Sequence, residues 1–415
     1  MCGIVLLAWM MWRLFFVPEP VFDNIALAVA LSGISAAWLL QRLRVRPRID
    51  AAVVIYATLA ALSAILHGGP LLLADYVNAS RPLIVVSYFY GATMLLSGEA
   101  RLGILIVAFA AAISLIGAGG AYDSVLSTAH GNRLQEYPSV GQWNGYAEVG
   151  LLLVVAWPLF LAVLALSRRI VALASAALLA AVLLTLVWMI DARAPYVAIA
   201  ATLVVQAGVQ VVWFRRVRLL AIAAVGAGIL AAILVIHGDW RDDFRQGWKD
   251  RFTDKFADQV RPGSFGFESA FGRPDAWRPA LRLIRDHPWL GVGPGHYTSA
   301  LRAAGYIGVP TVDHIHAHSM MLQVAAESGV PAAFAFLATW WSVLGGLRRR
   351  CGNSPHTDLL ALALGGALVA YFIRNLGDHF TSGIFTTSDR IEFFLWTLFA
   401  ASSALIRSPA SIVST

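Results

Sequence analysis

The chain has 415 residues, 59% of them hydrophobic and only 13% charged, with a formal net charge of +7. Soluble domains run at roughly 45–50% apolar and about 25% charged residues, so too little polar surface is present to coat a water-soluble globule of this size. Composition thus excludes a soluble enzyme, and it excludes intrinsic disorder, which needs low hydrophobicity. The class that remains is an all-α polytopic membrane protein. The basic excess does not point to nucleic acid, because the arginines sit in short clusters between apolar stretches, the pattern of membrane topology. Cys2 and Cys351 lie at opposite ends of the chain and indicate neither a disulfide framework nor a cysteine metal site.

A spanning helix needs about 20 mostly apolar residues. Twelve segments qualify: 2–17, 22–40, 50–67, 82–97, 102–118, 145–167, 170–190, 196–213, 218–236, 317–345, 357–376 and 391–406. The first carries no small-residue cleavage site and reads as a retained span. The weakly apolar stretch Pro70–Arg81 before the fourth could dip into the bilayer. Arg42, Arg44, Arg46 and Arg48, Arg168 and Arg169, Arg215, Arg216 and Arg218, and Arg348 to Arg350 all fall on one side of a twelve-span chain, with both termini. That side is expected to be cytoplasmic. The expected organisation is one membrane-embedded unit: helices one to nine over 1–236, a large periplasmic loop over 237–316, and helices ten to twelve over 317–415.

Within the loop, Trp240, Phe244, Trp248, Phe252 and Phe256 recur every fourth residue beside Arg241, Arg245 and Lys249. Such a segment reads as an amphipathic helix lying against membrane lipids, or as one packed on the rest of the loop. Pro262 to Gly266 forms a flexible link. A second helix is predicted from near Pro274, with Arg278, Arg282 and Arg285 on one face and Trp277, Leu281 and Ile284 on the adjoining apolar face. Gly291-Val292-Gly293-Pro294-Gly295-His296-Tyr297 contains a GxGxG without the strand of a dinucleotide fold, so it reads as a tight loop that lets backbone approach backbone or ligand.

Asp313-His314-Ile315-His316-Ala317-His318 stands directly before span ten. Alternate histidines suggest a metal site, but positions i and i+2 share neither a strand face nor a helix face. Alternatively, a histidine with its ordinary pKa near 6.5 suits a general base, or simply solvates a helix end. Arginines on the outer side form a second group: Arg193 in the Asp191–Pro195 turn, Arg273 before the second loop helix, Arg81 opening span four and Arg374 ending span eleven. Ionisable residues at membrane depth are costly and raise a functional hypothesis. Guanidinium matches phosphate oxygens bidentately, which makes a diphosphate a natural partner; pairing with Asp191, Asp378, Asp389 or Glu392 is the alternative.

These residues resemble a family. His318-Ser319, nine residues, then Gly329 looks like the H[NSQ]-x9-G-x2-[GTY] signature of bacterial O-antigen ligases, with Ala332 departing at the last position. Arg273–Trp277 with His287–Gly293 is similar to the loop of this ligase–polymerase superfamily, Ala192-Arg193-Ala194 resembles its arginine turn, and Trp143-Asn144 its middle-span asparagine. The resemblance implies a GT-C-like, metal-independent glycosyltransferase of the bacterial inner membrane, without cofactor, working on the periplasmic side. Its donor would be polysaccharide on undecaprenyl diphosphate and its acceptor a sugar hydroxyl of lipid A–core, joined with inversion. Carried over by position, His318 would be the base and Arg193 and Arg273, with Arg81 more weakly, would hold the diphosphate. His316, Asn144, Asp389 and Tyr297 would support them. A polymerase or a protein O-oligosaccharyltransferase would use the same donor, and a lipid-linked-sugar transporter is the non-enzymatic alternative.

Overall fold

The computed structural model describes residues 47–67, 73–97, 273–305, 317, 319–376 and 389–408, with isolated positions at 102, 103, 105, 151, 154–158, 162 and 204. Every regular element among the described residues is an α-helix: α1 (Pro47–His67), α2 (Leu73–Leu95), α3 (Arg273–Asp286), α4 (Tyr297–Ala303), α5 (Met320–Ser328), α6 (Val330–Arg350), α7 (Pro355–Leu376) and α8 (Asp389–Arg407). Of these, α1, α6 and α7 are long and apolar enough to cross a membrane. A helix of 21 residues, the length of α6, rises about 32 Å, close to the hydrocarbon thickness. Two of the expected spans, the third and the eleventh, therefore stand as single apolar helices, and α6 holds most of the tenth. Segments 2–17, 22–40, 102–118, 145–167, 170–190, 196–213 and 218–236 lie outside the described residues but for the isolated positions, as does the amphipathic stretch 240–256.

Helix α6 is the centre of the bundle, packing on α1, α5, α7 and α8, while α2 covers α1 and α8. The interior is aromatic. Trp340 meets Phe399 at 4.9 Å between ring centroids, Tyr56 meets Phe336 at 5.1 Å and Trp396 meets Phe399 at 5.4 Å. Edge-on and tilted pairs of this kind add about 0.5–1.5 kcal/mol each beyond area burial. Gly346 brings α6 and α8 together, since a Cβ there would come within 2.5 Å of Ile406 Cδ1. Small residues are the usual means by which membrane helices approach closely.

The two ends of the bundle differ. At one end Asp50 of α1 pairs with Arg407 of α8, and Tyr90 of α2 donates its hydroxyl to the same carboxylate at 3.0 Å. Arg350 of α6 donates there to the Ile406 carbonyl, at 3.2 Å from Nε and 3.0 Å from Nη2. The opposite end carries His67, α3, α4, α5 and the bend at Gly329. The arginines of α6 and of the α1 start thus share one end.

From Leu73 the stretch before the fourth span belongs to one continuous helix with it. One expectation needs correction. Span ten is not one helix over 317–345 but two, α5 and α6, divided at Gly329, whose φ of 89° no helix accommodates. Pro331 in the first turn of α6 has no N–H to lose there and helps restart the helix. Ala332, where the signature has Gly, Thr or Tyr, is fully buried beside this restart.

Candidate functional site

The loop after α3 is docked backbone to backbone on the α5–α6 bend. Val292 N–H donates to the Ala326 carbonyl at 2.9 Å, Gly293 N–H to the Glu327 carbonyl at 2.9 Å, and Val330 N–H to the Pro288 carbonyl at 2.8 Å. Two of these bonds use carbonyls from the last turn of α5, which lack partners within their own helix. Glycine makes the approach possible. A Cβ on Gly291 would stand 2.4 Å from the Glu327 carbonyl carbon, and one on Gly329 would stand 2.1 Å from the Trp289 oxygen. The signature glycine is thus a bend and a docking surface in one residue. The reading of the GxGxG as a close-approach loop holds, with Gly291, Gly293 and Gly295 all at positive φ.

Under this contact lies a chain of buried polar groups. Gln323 Oε1 accepts the Ala317 N–H at 2.9 Å, and Gln323 Nε2 donates to Glu327 Oε1 at 2.8 Å. The Glu327 carboxyl also accepts the backbone N–H groups of Gly295 and Tyr297. Glu327 is 5% exposed and lies outside the three long apolar helices. Burial pushes its pKa up to about 8, against the lowering effect of its Gln323, Gly295 and Tyr297 donors. Tyr297, packed beneath the loop at 2% exposure, has its phenol raised first by burial and then by the Glu327 charge. Ser63 of α1 completes the arrangement by donating to the Leu290 and Glu327 carbonyls.

The expected site residues fare unevenly. Arg273 is the first residue of α3, Arg81 lies within α2 and Asp389 opens α8. His316, His318, Arg193 and Asn144 lie outside the described residues. Arg374 is buried in the last turn of α7. Tyr297 is placed in α4, over Glu327. Arg278, Arg282 and Arg285 are exposed as predicted, but Leu281 is exposed beside them at 53%, and the buried face of α3 is Ala280 and Leu283 with Ile284 partly covered. Among the described residues α3 packs mainly on α5, with a smaller contact to α4.

Sequence reasoning missed Ser63, His67, Gln323 and Glu327. For the last two a signal existed: polar residues at i and i+4 inside an apolar run, one of them a carboxylate within an expected span. No local signal marks Ser63 or His67. His67 faces His287 with ring centroids 6.4 Å apart, and a Cβ on Gly293 would meet His67 Cβ and His296 Nδ1 at 3.0 Å each. His67 and His296 therefore flank Gly293, and His287 lies edge-on to His67.

Apolar helices of membrane-crossing length, packed around α6 with a glycine-built loop docked on one end, define a helical integral-membrane protein. Residues 153–337 match the family model described as O-Antigen ligase, so this part of the chain is similar to that family. The match encloses Arg193, Arg273, Tyr297, His316 and His318, and leaves Arg81, Asn144 and Asp389 outside. No curated protein matches the chain.

Proposed function

We propose that the protein is an O-antigen ligase of the bacterial inner membrane. It transfers polysaccharide from undecaprenyl diphosphate to a sugar hydroxyl of lipid A–core on the periplasmic side. The observation that carries this reading is the family match, which holds in one stretch the two best arginine candidates and the histidine signature. The docked loop supports it, because it ties the helix headed by Arg273 to the helix that follows His318-Ser319.

In this mechanism His318 takes the proton of the acceptor hydroxyl as the oxygen attacks the anomeric carbon. The bond to the diphosphate breaks on the opposite face, which gives inversion. Arg193 and Arg273, with Arg81, neutralise the charge that grows on the departing diphosphate, an electrostatic role that fixed cations perform without reorganisation. The donor bond is already activated, so the reaction draws on no nucleotide. His316, Asn144, Asp389 and Tyr297 are the supporting candidates.

The test mixes purified protein with lipid-linked polysaccharide and lipid A–core, without ATP, for wild type, His318→Ala and a chelator-treated sample. Joined lipopolysaccharide from the wild-type and chelated samples, with about 10²–10⁴-fold less from the variant, is the expected result. Growth of the donor chain in place of transfer would make the protein a polymerase. Loss on chelation would restore the histidine–metal reading.

A further inference from the structure

Glu327 is a buried carboxyl with no part in the proposed transfer. Three donors converge on it: the Gln323 amide and the backbone N–H groups of Gly295 and Tyr297. That arrangement fixes the sense of the Gln323 amide. Nε2 turns to the carboxyl, and Oε1 is left for the Ala317 N–H, a group that can only donate.

Gln323 in turn holds the chain on both sides of position 318. Its side chain accepts the N–H of Ala317 at 2.9 Å, and its backbone N–H donates to the Ser319 carbonyl at 2.9 Å. Ala317 precedes α5, so its N–H has no helical ladder to join, and a buried N–H needs a partner from elsewhere. Both neighbours are fixed by packing as well. Ala317 is fully buried in the apolar cluster of Leu283, Tyr297 and Ala326, and Ser319 is 5% exposed. Ser63 of α1 adds a bond to the Glu327 carbonyl at 2.9 Å. A satisfied buried network of this kind is rigid. It runs from the docked loop through two side chains, Glu327 and Gln323, to the residue before His318.

We propose that Gln323 and Glu327 are positioning residues for the transfer reaction, fixing the segment that carries His318 against the docked loop. The proposal rests on the ligase reading, in which His318 is the base. A base misplaced by about 1 Å can cost roughly 10²-fold in rate, so the network would set the rate without touching either substrate.

Transfer from undecaprenyl-diphosphate-linked polysaccharide to lipid A–core is measured for full-length wild type, Gln323→Leu, His318→Ala and the double variant. Amide exchange at Ala317 is followed alongside. Gln323→Leu lowers kcat roughly 10–10²-fold and leaves the donor KM within about two-fold, because a misplaced base costs rate and not binding. In the His318→Ala background the same substitution costs nothing further, since a residue that acts through the histidine has nothing left to position. Tyr90→Phe, at the far end of the bundle, keeps the wild-type kcat. Should Gln323→Leu fail to fold, Glu327→Gln, which keeps the volume and removes the charge, is taken through the same cycle. A loss of equal size in both backgrounds, or a KM that rises while kcat holds, would overturn the positioning role and leave the ligase reading standing. A His318→Ala protein as active as wild type would overturn the mechanism and this proposal with it. Unchanged exchange at Ala317 in Gln323→Leu would overturn the proposal whatever the wild type transfers.

Discussion

Gly291 and Gly329 interlock: each occupies the space a side chain would need against the backbone beside the other, Glu327 at 2.4 Å and Trp289 at 2.1 Å. The loop after α3 and the bend before α6 therefore form one contact with no side chains between them. Gly329→Ala combines a positive φ with a backbone clash and is expected to cost at least ~2 kcal/mol. Gly305 also has a positive φ, but open space surrounds it, so Gly305→Ala costs only about 1–2 kcal/mol. Apparent melting temperatures of the two variants make the comparison. Equal losses would show that dihedral strain, and not the docking, sets the requirement.

Glu327 makes stability depend on pH. The unfolded chain releases this proton near the ordinary glutamate value of about 4.5, while the folded protein holds it to about 8. Between those values folding takes up a proton, so stability falls as pH rises across the window and levels off above it. Melting temperatures from pH 5 to 9 should show that decline in the wild type and a flatter profile in Glu327→Gln. Parallel profiles would place the titration elsewhere.

Gln323 bridges the Ala317 amide and the Glu327 carboxyl, and Ala317 is the residue before His318. Gln323→Leu leaves a buried N–H and a buried carboxyl each short of a partner, at about 1–3 kcal/mol per group. Amide exchange at Ala317 should speed up markedly. If the proposed reaction is correct, transfer falls with it, most in kcat. Unchanged exchange at Ala317 would mean that the side chain does not hold this peptide.

At the far end of the bundle, Asp50 accepts from both Arg407 and Tyr90. Asp50→Asn removes the carboxylate charge that Arg407, only 7% exposed, pairs with here. Removing one partner of a buried pair costs about 3–5 kcal/mol, and the low end applies because Asp50 retains 13% exposure. Tyr90→Phe should cost about 1 kcal/mol. A tolerant Asp50→Asn protein would show that the α1–α8 contact rests on apolar packing.

Much of this was legible in advance. Apolar length announced α1, α6 and α7, the arginine-spaced stretch announced α3, and alternating glycines announced a close-approach loop. The break in span ten was also written locally, in Gly329 followed by Pro331, but a long apolar run masked it. What could not be read was pairing over distance. Ser63 sits in an ordinary apolar helix, and nothing near it points to Leu290 or Glu327. Leu281 shows the other limit: helical period fixes which residues share a face, but the width of the covering neighbour decides which are buried.

The Ser63 bonds reach partners 227 and 264 residues further along the chain. Helix α1 therefore enters the bilayer long before its hydroxyl can find either carbonyl, and α6, its most extensive neighbour, arrives later still. Assembly of this end of the bundle waits until Val330 has been made. Chains stalled before Val330 would carry α1 and α2 without a docked loop.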